Sequence, residues 1–115
     1  MAKLRAGVIG VGHLGQHHAR LYASSPDTTL VGVMDQDGTR ASAIAEKFGT
    51  QPFRGLAEFL KQVEVVSIAV PTSGHYAVAK ACLEAKKHVL VEKPIAVSPS
   101  EARDLVGLAG RHGCT

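Results

Sequence analysis

The sequence predicts an α/β fold built on a doubly wound parallel sheet, and three observations carry that expectation. Short apolar runs rich in Val, Ile and Leu alternate with longer segments of helical periodicity along all 115 residues. A glycine triplet, Gly10-x-Gly12-x-x-Gly15, stands between the first apolar run and the first helical segment. Aromatic residues are few, with three Phe, two Tyr and no Trp. The core must therefore be aliphatic, as parallel sheets covered by helices are.

The elements follow in order. The first strand is expected at Arg5 to Ile9 and its helix from His13 to about Ala23, stopped by Ser24-Ser25-Pro26-Asp27. The second strand, Leu30 to Met34, ends at Asp35, and either Asp37 or Thr39 can cap the next helix. That helix places Ala41, Ile44, Ala45 and Phe48 on one face, and Gly49 closes it. A short strand near Gln51 to Phe53 precedes a helical turn holding Leu56, Phe59 and Leu60. The fourth strand, Glu64 to Val70, runs into Pro71, with a helix over about Gly74 to Ala85. The fifth strand is His88 to Val91. Ser98-Pro99-Ser100-Glu101 reads as a capping box opening a last helix, with Leu105, Val106 and Leu108 as its apolar face and Gly113 as its cap. With right-handed crossovers and helices on both faces, the doubly wound dinucleotide-binding order would be 3-2-1-4-5. A sixth strand would have to begin at Cys114-Thr115, so it is expected to be absent.

Composition bounds the classes. At 45% hydrophobic and 20% charged, the chain reads as one globular domain over residues 1–115, with little room for a second core. The net charge of +3 is mild. Lys86-Lys87-His88 is the only basic cluster and complements a helix C-terminus, so no nucleic-acid partner is expected. No apolar run approaches membrane-spanning length, and none resembles a signal peptide. Two cysteines, Cys82 on a helix and Cys114 at the end, form no metal spacing and no disulfide framework. A reducing, cytoplasmic setting is the expectation.

The glycine triplet carries the chemistry. Its first glycine permits the tight turn, the second a close approach to phosphates, and the third close packing of helix on strand. Peptide N–H groups around His13 and Leu14, at the positive end of the helix dipole, would face a pyrophosphate. Asp35 lies twenty residues beyond Gly15, where an acid can accept both ribose hydroxyls and repel a 2′-phosphate. No arginine follows at once, so NAD is preferred over NADP; Arg40 is near enough to weaken that preference without reversing it.

Pro71-Thr72-Ser73-Gly74-His75 and Glu92-Lys93-Pro94 leave the fourth and fifth strands at the carboxyl edge, where ligands bind in open α/β sheets. Thr72 or Ser73 can cap the following helix, contact the cofactor, or do both. Lys93 is either a charged loop residue or a fixed donor to an oxygen that gains negative charge. Pro94 would restrict the backbone that aims it.

These residues together resemble the glucose–fructose oxidoreductase/inositol dehydrogenase (Gfo/Idh/MocA) family over essentially the whole chain. The resemblance implies a Rossmann NAD(P)-binding half, with Gly10, Gly12, His13, Leu14, Gly15, Asp35, Pro71, Thr72, His75 and Glu92 around the cofactor. It implies that Lys93 contacts the hydroxyl or carbonyl of a sugar, nucleotide-sugar or polyol substrate. The His17-His18-Ala19-Arg20 texture resembles the sugar dehydrogenases of the family, although His17 and His18 themselves read as helix-surface residues. The resemblance implies a second domain with the substrate contacts, the catalytic base and the oligomer interface, and these 115 residues are expected to lack it. Two expectations follow: an NAD-binding half with little turnover, or a free-standing nucleotide-binding module. In either case the uncovered fifth strand is expected to promote self-association.

Overall fold

The computed structural model describes residues 3–70, 72–91 and 99–111; the side chains of residues 13, 72–75, 91, 99 and 111 lie outside that description. The apolar runs form β1 (Leu4–Ile9), β2 (Thr28–Met34), β3 (Pro52–Phe53), β4 (Val65–Ile68) and β5 (His88–Val91). They pair in parallel in the order β3-β2-β1-β4-β5, as expected. The helices are α1 (His13–Ser24), α2 (Gly38–Phe48), α3 (Leu56–Gln62), α4 (Thr72–Glu84) and α5 (Pro99–Arg111).

Alternation along the strands sends successive side chains to opposite faces and so makes two cores. Val8, Leu30 and Val33 pack with Val11, Ala19, Ile44 and Ala45 beneath α1 and α2. Ile9, Val66 and Ile68 pack with Phe59 and Leu60 of α3, Ala79, Cys82 and Leu83 of α4, and Leu105 and Leu108 of α5. Burial pushes the Cys82 thiol up to about 12, as an inert core residue requires. Among the described residues, no helix is long and apolar enough to cross a membrane.

Local chemistry sets the helix ends. Asp37, rather than Thr39, caps α2, its carboxylate accepting the Thr39 and Arg40 amides at 3.0 and 3.2 Å. Gly49 ends α2 in the left-handed region at φ 69°, the conformation for which glycine is suited. Lys86 takes the same conformation after α4, at φ 63°, and its amide bonds back to the Leu83 carbonyl. The basic cluster therefore stands where α4 ends and β5 begins.

Three expectations need correction. Val106 is 66% exposed, because it lies about 100° around α5 from the buried Leu105. α4 begins at Thr72, so Thr72 and Ser73 lie in its first turn rather than ahead of it. His18 is not a surface residue. It is half-buried, its Nδ1 lying 3.1 Å from the hydroxyl of Ser67 on β4, which the Tyr22 hydroxyl also meets at 2.6 Å. Ser67 is fully buried, so this cluster satisfies a polar group inside the sheet. The expected capping Ser98 and closing Gly113 lie outside the described residues, as does Cys114.

Candidate functional site: the glycine loop and Asp35

β1 delivers the chain to the carboxyl edge of the sheet, where Gly10 turns at φ +90°. Its amide donates to the Met34 carbonyl of β2 at 2.7 Å. On the other side, a Cβ at Gly10 would meet the Ala69 carbonyl carbon and oxygen at 2.8 Å. Only glycine fits, because the backbone conformation and the adjacent wall both exclude a side chain. Gly15 is constrained differently. A Cβ there would collide with the Gly10 carbonyl oxygen, so the first turn of α1 closes directly onto the loop. At Gly12 the nearest atom among the described residues is Arg40 Nη1, 3.6 Å from a hypothetical Cβ, so those residues leave this face of the loop open.

That open face borders the start of α1. Gly12 is the N-cap residue and supplies no side-chain bond. The amides of His13, Leu14 and Gly15 have no intrahelical acceptor, since the first donors of any α-helix precede the ladder. Positively polarised donors beside an open glycine fit a phosphate anion. Leu14 is 53% exposed on the rim.

Asp35 closes the loop from the β2 side. Its side chain is only 8% exposed. One carboxylate oxygen, Oδ2, accepts the Val11 amide at 2.8 Å, and Oδ1 accepts the Asp37 amide at 2.8 Å. Arg40 Nη1 stands 3.6 Å from Oδ2. Arg40 thus faces both Asp35 and Gly12 from the first turns of α2. It was absent from the site residues expected from sequence, although its position five residues after Asp35 puts it one helical turn above the cap.

The structure therefore brings Gly10, Gly12, Gly15 and Asp35 together, with Leu14 at the edge. His13 opens α1, and Thr72 and His75 lie in the first turn of α4, two residues and five residues beyond Val70. Pro71, Glu92 and Lys93 lie outside the described residues. Among the described residues there is no cluster of His, Cys, Asp and Glu suited to a metal. A separate cavity of about 490 Å³ lies beside the α2–β3 connection, lined by Leu30, Val31, Thr50, Gln51, Phe53 and Gln62 among others. It contains no charged side chain and none of the loop residues, so it offers nothing to hold a pyrophosphate.

The chain is similar to several known proteins. UDP-N-acetylglucosamine 3-dehydrogenase of Acidithiobacillus ferrooxidans is 42% identical over 109 residues, covering 95% of this chain and 34% of that enzyme. Inositol 2-dehydrogenase of Rubrobacter xylanophilus is 37% identical over 107 residues, covering 90% of this chain and 31% of its own. A solved structure of GenD2 from gentamicin A biosynthesis, in complex with NAD, superposes with a TM-score of 0.95. It is 32% identical, over 100% of this chain and 34% of that one. The chain thus spans about a third of the length of the curated relatives it matches. The family model described as "Oxidoreductase family, NAD-binding Rossmann fold" (GFO_IDH_MocA) matches residues 4–115. The chain belongs to that family, and its 3-2-1-4-5 sheet is the family's NAD-binding Rossmann fold.

Proposed function

We propose that this chain is the cofactor-holding part of a dehydrogenase that moves hydride between nicotinamide and a hydroxyl of a sugar, nucleotide-sugar or polyol. The observation that carries the reading is the glycine loop, whose first-turn helix amides, without a side-chain cap from Gly12, stand beside a buried carboxylate. In this reading the amides at the start of α1 hold the pyrophosphate, and Asp35 accepts the adenosine ribose hydroxyls. NAD, when bound, supplies the hydride acceptor. Lys93 donates a hydrogen bond to the substrate oxygen, lowering the barrier as charge gathers there. The same reading assigns Glu92, Pro71, Thr72 and His75 to cofactor binding, as the resemblance to the family implies.

Substrate orientation and a base to take the hydroxyl proton are assigned to chain beyond this third of the relatives' length. Binding without appreciable turnover is therefore expected of these 115 residues. The named substrates of the relatives support the sugar and polyol class. Arg40 qualifies the cofactor preference: paired with Asp35, it reduces the repulsion of a 2′-phosphate. A reducing, cytoplasmic setting is part of this reading, and the free thiol of Cys82 is compatible with it.

Calorimetric titration with NAD and NADP tests the reading. NAD should bind more tightly than NADP, and Arg40→Ala should widen that gap by about tenfold through weaker NADP binding. A chain that binds neither cofactor, or prefers NADP, contradicts it. We further propose that β5 associates with a second copy. Among the described residues it pairs with β4 alone, and Leu90 on it is 50% exposed. Sedimentation showing only monomer at high concentration would remove that part.

A further inference from the structure

Asp35 has more partners than a ribose acceptor needs. Its carboxylate is almost wholly withdrawn from water, which costs free energy unless donors compensate. The donors are the Val11 and Asp37 amides and the Arg40 guanidinium. Val11 is itself fully buried, and its amide lies in the peptide that follows the positive-φ turn at Gly10. Without the carboxylate this buried N–H would lose its acceptor, and the loop would have to turn to find water.

We propose that Asp35 is a positioning residue for the glycine loop as well as a cofactor contact. Through Val11 it holds the loop in its binding shape before a dinucleotide arrives. The inference rests on the cofactor reading above for its functional meaning, but the loop-holding role stands in the free protein.

The lone pairs show how both roles coexist. Each carboxylate oxygen offers about two acceptor positions. Val11 and Arg40 engage Oδ2, and Asp37 engages Oδ1, leaving one position on Oδ1. One ribose hydroxyl takes that position. The second displaces Arg40, whose contact at 3.6 Å is the longest of the three. The Val11 bond stays in place throughout, so the loop need not reorganise on binding.

Two ligands separate the roles: ADP, and 2′,3′-dideoxy-ADP, which has no hydroxyls for Asp35 to meet. Asp35→Ala should weaken both by about tenfold or more, the loss expected for a charge-assisted bond. Asp35→Asn keeps an oxygen that can accept the Val11 amide. It should weaken ADP while leaving the dideoxy ligand within about threefold of the original chain. Hydrogen exchange supplies a readout without ligand. Val11 should be protected in the unmodified protein and exchange at least about tenfold faster in Asp35→Ala, with Val8 and Val66 unchanged. Unprotected Val11 in the unmodified protein overturns the proposal even where Asp35→Ala fails to fold. So does an Asp35→Ala variant that weakens ADP alone. If the unmodified chain binds neither nucleotide, the cofactor reading fails, and the exchange measurement still decides the loop-holding role.

Discussion

The two halves of the sheet handle polar groups in opposite ways. In the first half, β1, α1, β2 and α2 converge on Asp35, whose buried carboxylate draws the glycine loop and the β2–α2 turn together. In the second half, α4 and α5 are joined near their first turns by a more peripheral bond. The Tyr76 hydroxyl donates to Asp104 Oδ2 at 2.7 Å. Between the halves, Ser67 on β4 reaches across to His18 and Tyr22 of α1. The lesson is one of tolerance. A site made of main-chain groups around a buried charge allows almost no substitution, whereas side-chain bonds on a helix surface leave room for change.

The largest effect that would sharpen this contrast is within the loop itself. Gly15→Ala forces a methyl group against the Gly10 carbonyl, and should cost on the order of 3 kcal/mol in chemical denaturation. Gly12→Ala adds the same methyl where, among the described residues, the nearest atom is Arg40 Nη1, and should change stability by less than Gly15→Ala does. Equal costs at the two glycines would break the account of which one is structural.

The next effect compares the polar links. Ser67→Ala leaves the Tyr22 hydroxyl without this partner inside the fold, and should cost about 1–3 kcal/mol. Asp104→Ala removes a more solvent-accessible bond and should destabilise the chain less than Ser67→Ala does. The same variant has a spectroscopic signature. The Asp104 carboxylate beside Tyr76 holds its phenol above the ordinary value of 10.0, because ionisation would lose the donated proton and place two negative charges together. A folded-state value above the unfolded one means that the stabilisation is present below about pH 10 and lost as pH rises through the raised value. Absorbance titration of Asp104→Ala should bring Tyr76 back toward 10, and an unchanged midpoint would deny the bond any role.

The smallest effect is a gain. Lys86→Gly relieves a left-handed backbone at a non-glycine residue and should stabilise the chain by roughly 0.5–1 kcal/mol.

Much of this contrast was legible in the sequence. The alternation of apolar runs with helical periods pointed to a parallel sheet, the glycine fingerprint pointed to its 3-2-1-4-5 order, and Gly10, Gly12, Gly15 and Asp35 meet at the loop that this order implies. These residues share one β-α-β unit, so local geometry decides their meeting. What escaped depends on contacts between distant elements. His18 looked like a surface residue because its partner Ser67 is 49 positions away. The sequence shows the charge of Arg40, but its place over Gly12 follows from how α2 packs beside α1. Lys86 had no glycine to announce its turn. Val106 was assigned to the wrong face because a run of apolar residues does not show where a helix will meet its neighbours.

The most direct test of the central claim is an amide-resolved NMR titration of the chain with NAD. Shifts should concentrate at residues 10–15, 35 and 40 and at the start of α4, while the α2–β3 cavity stays unperturbed. Shifts confined to that cavity, or none at saturating NAD, would contradict the assignment of this loop as the place where the cofactor is held.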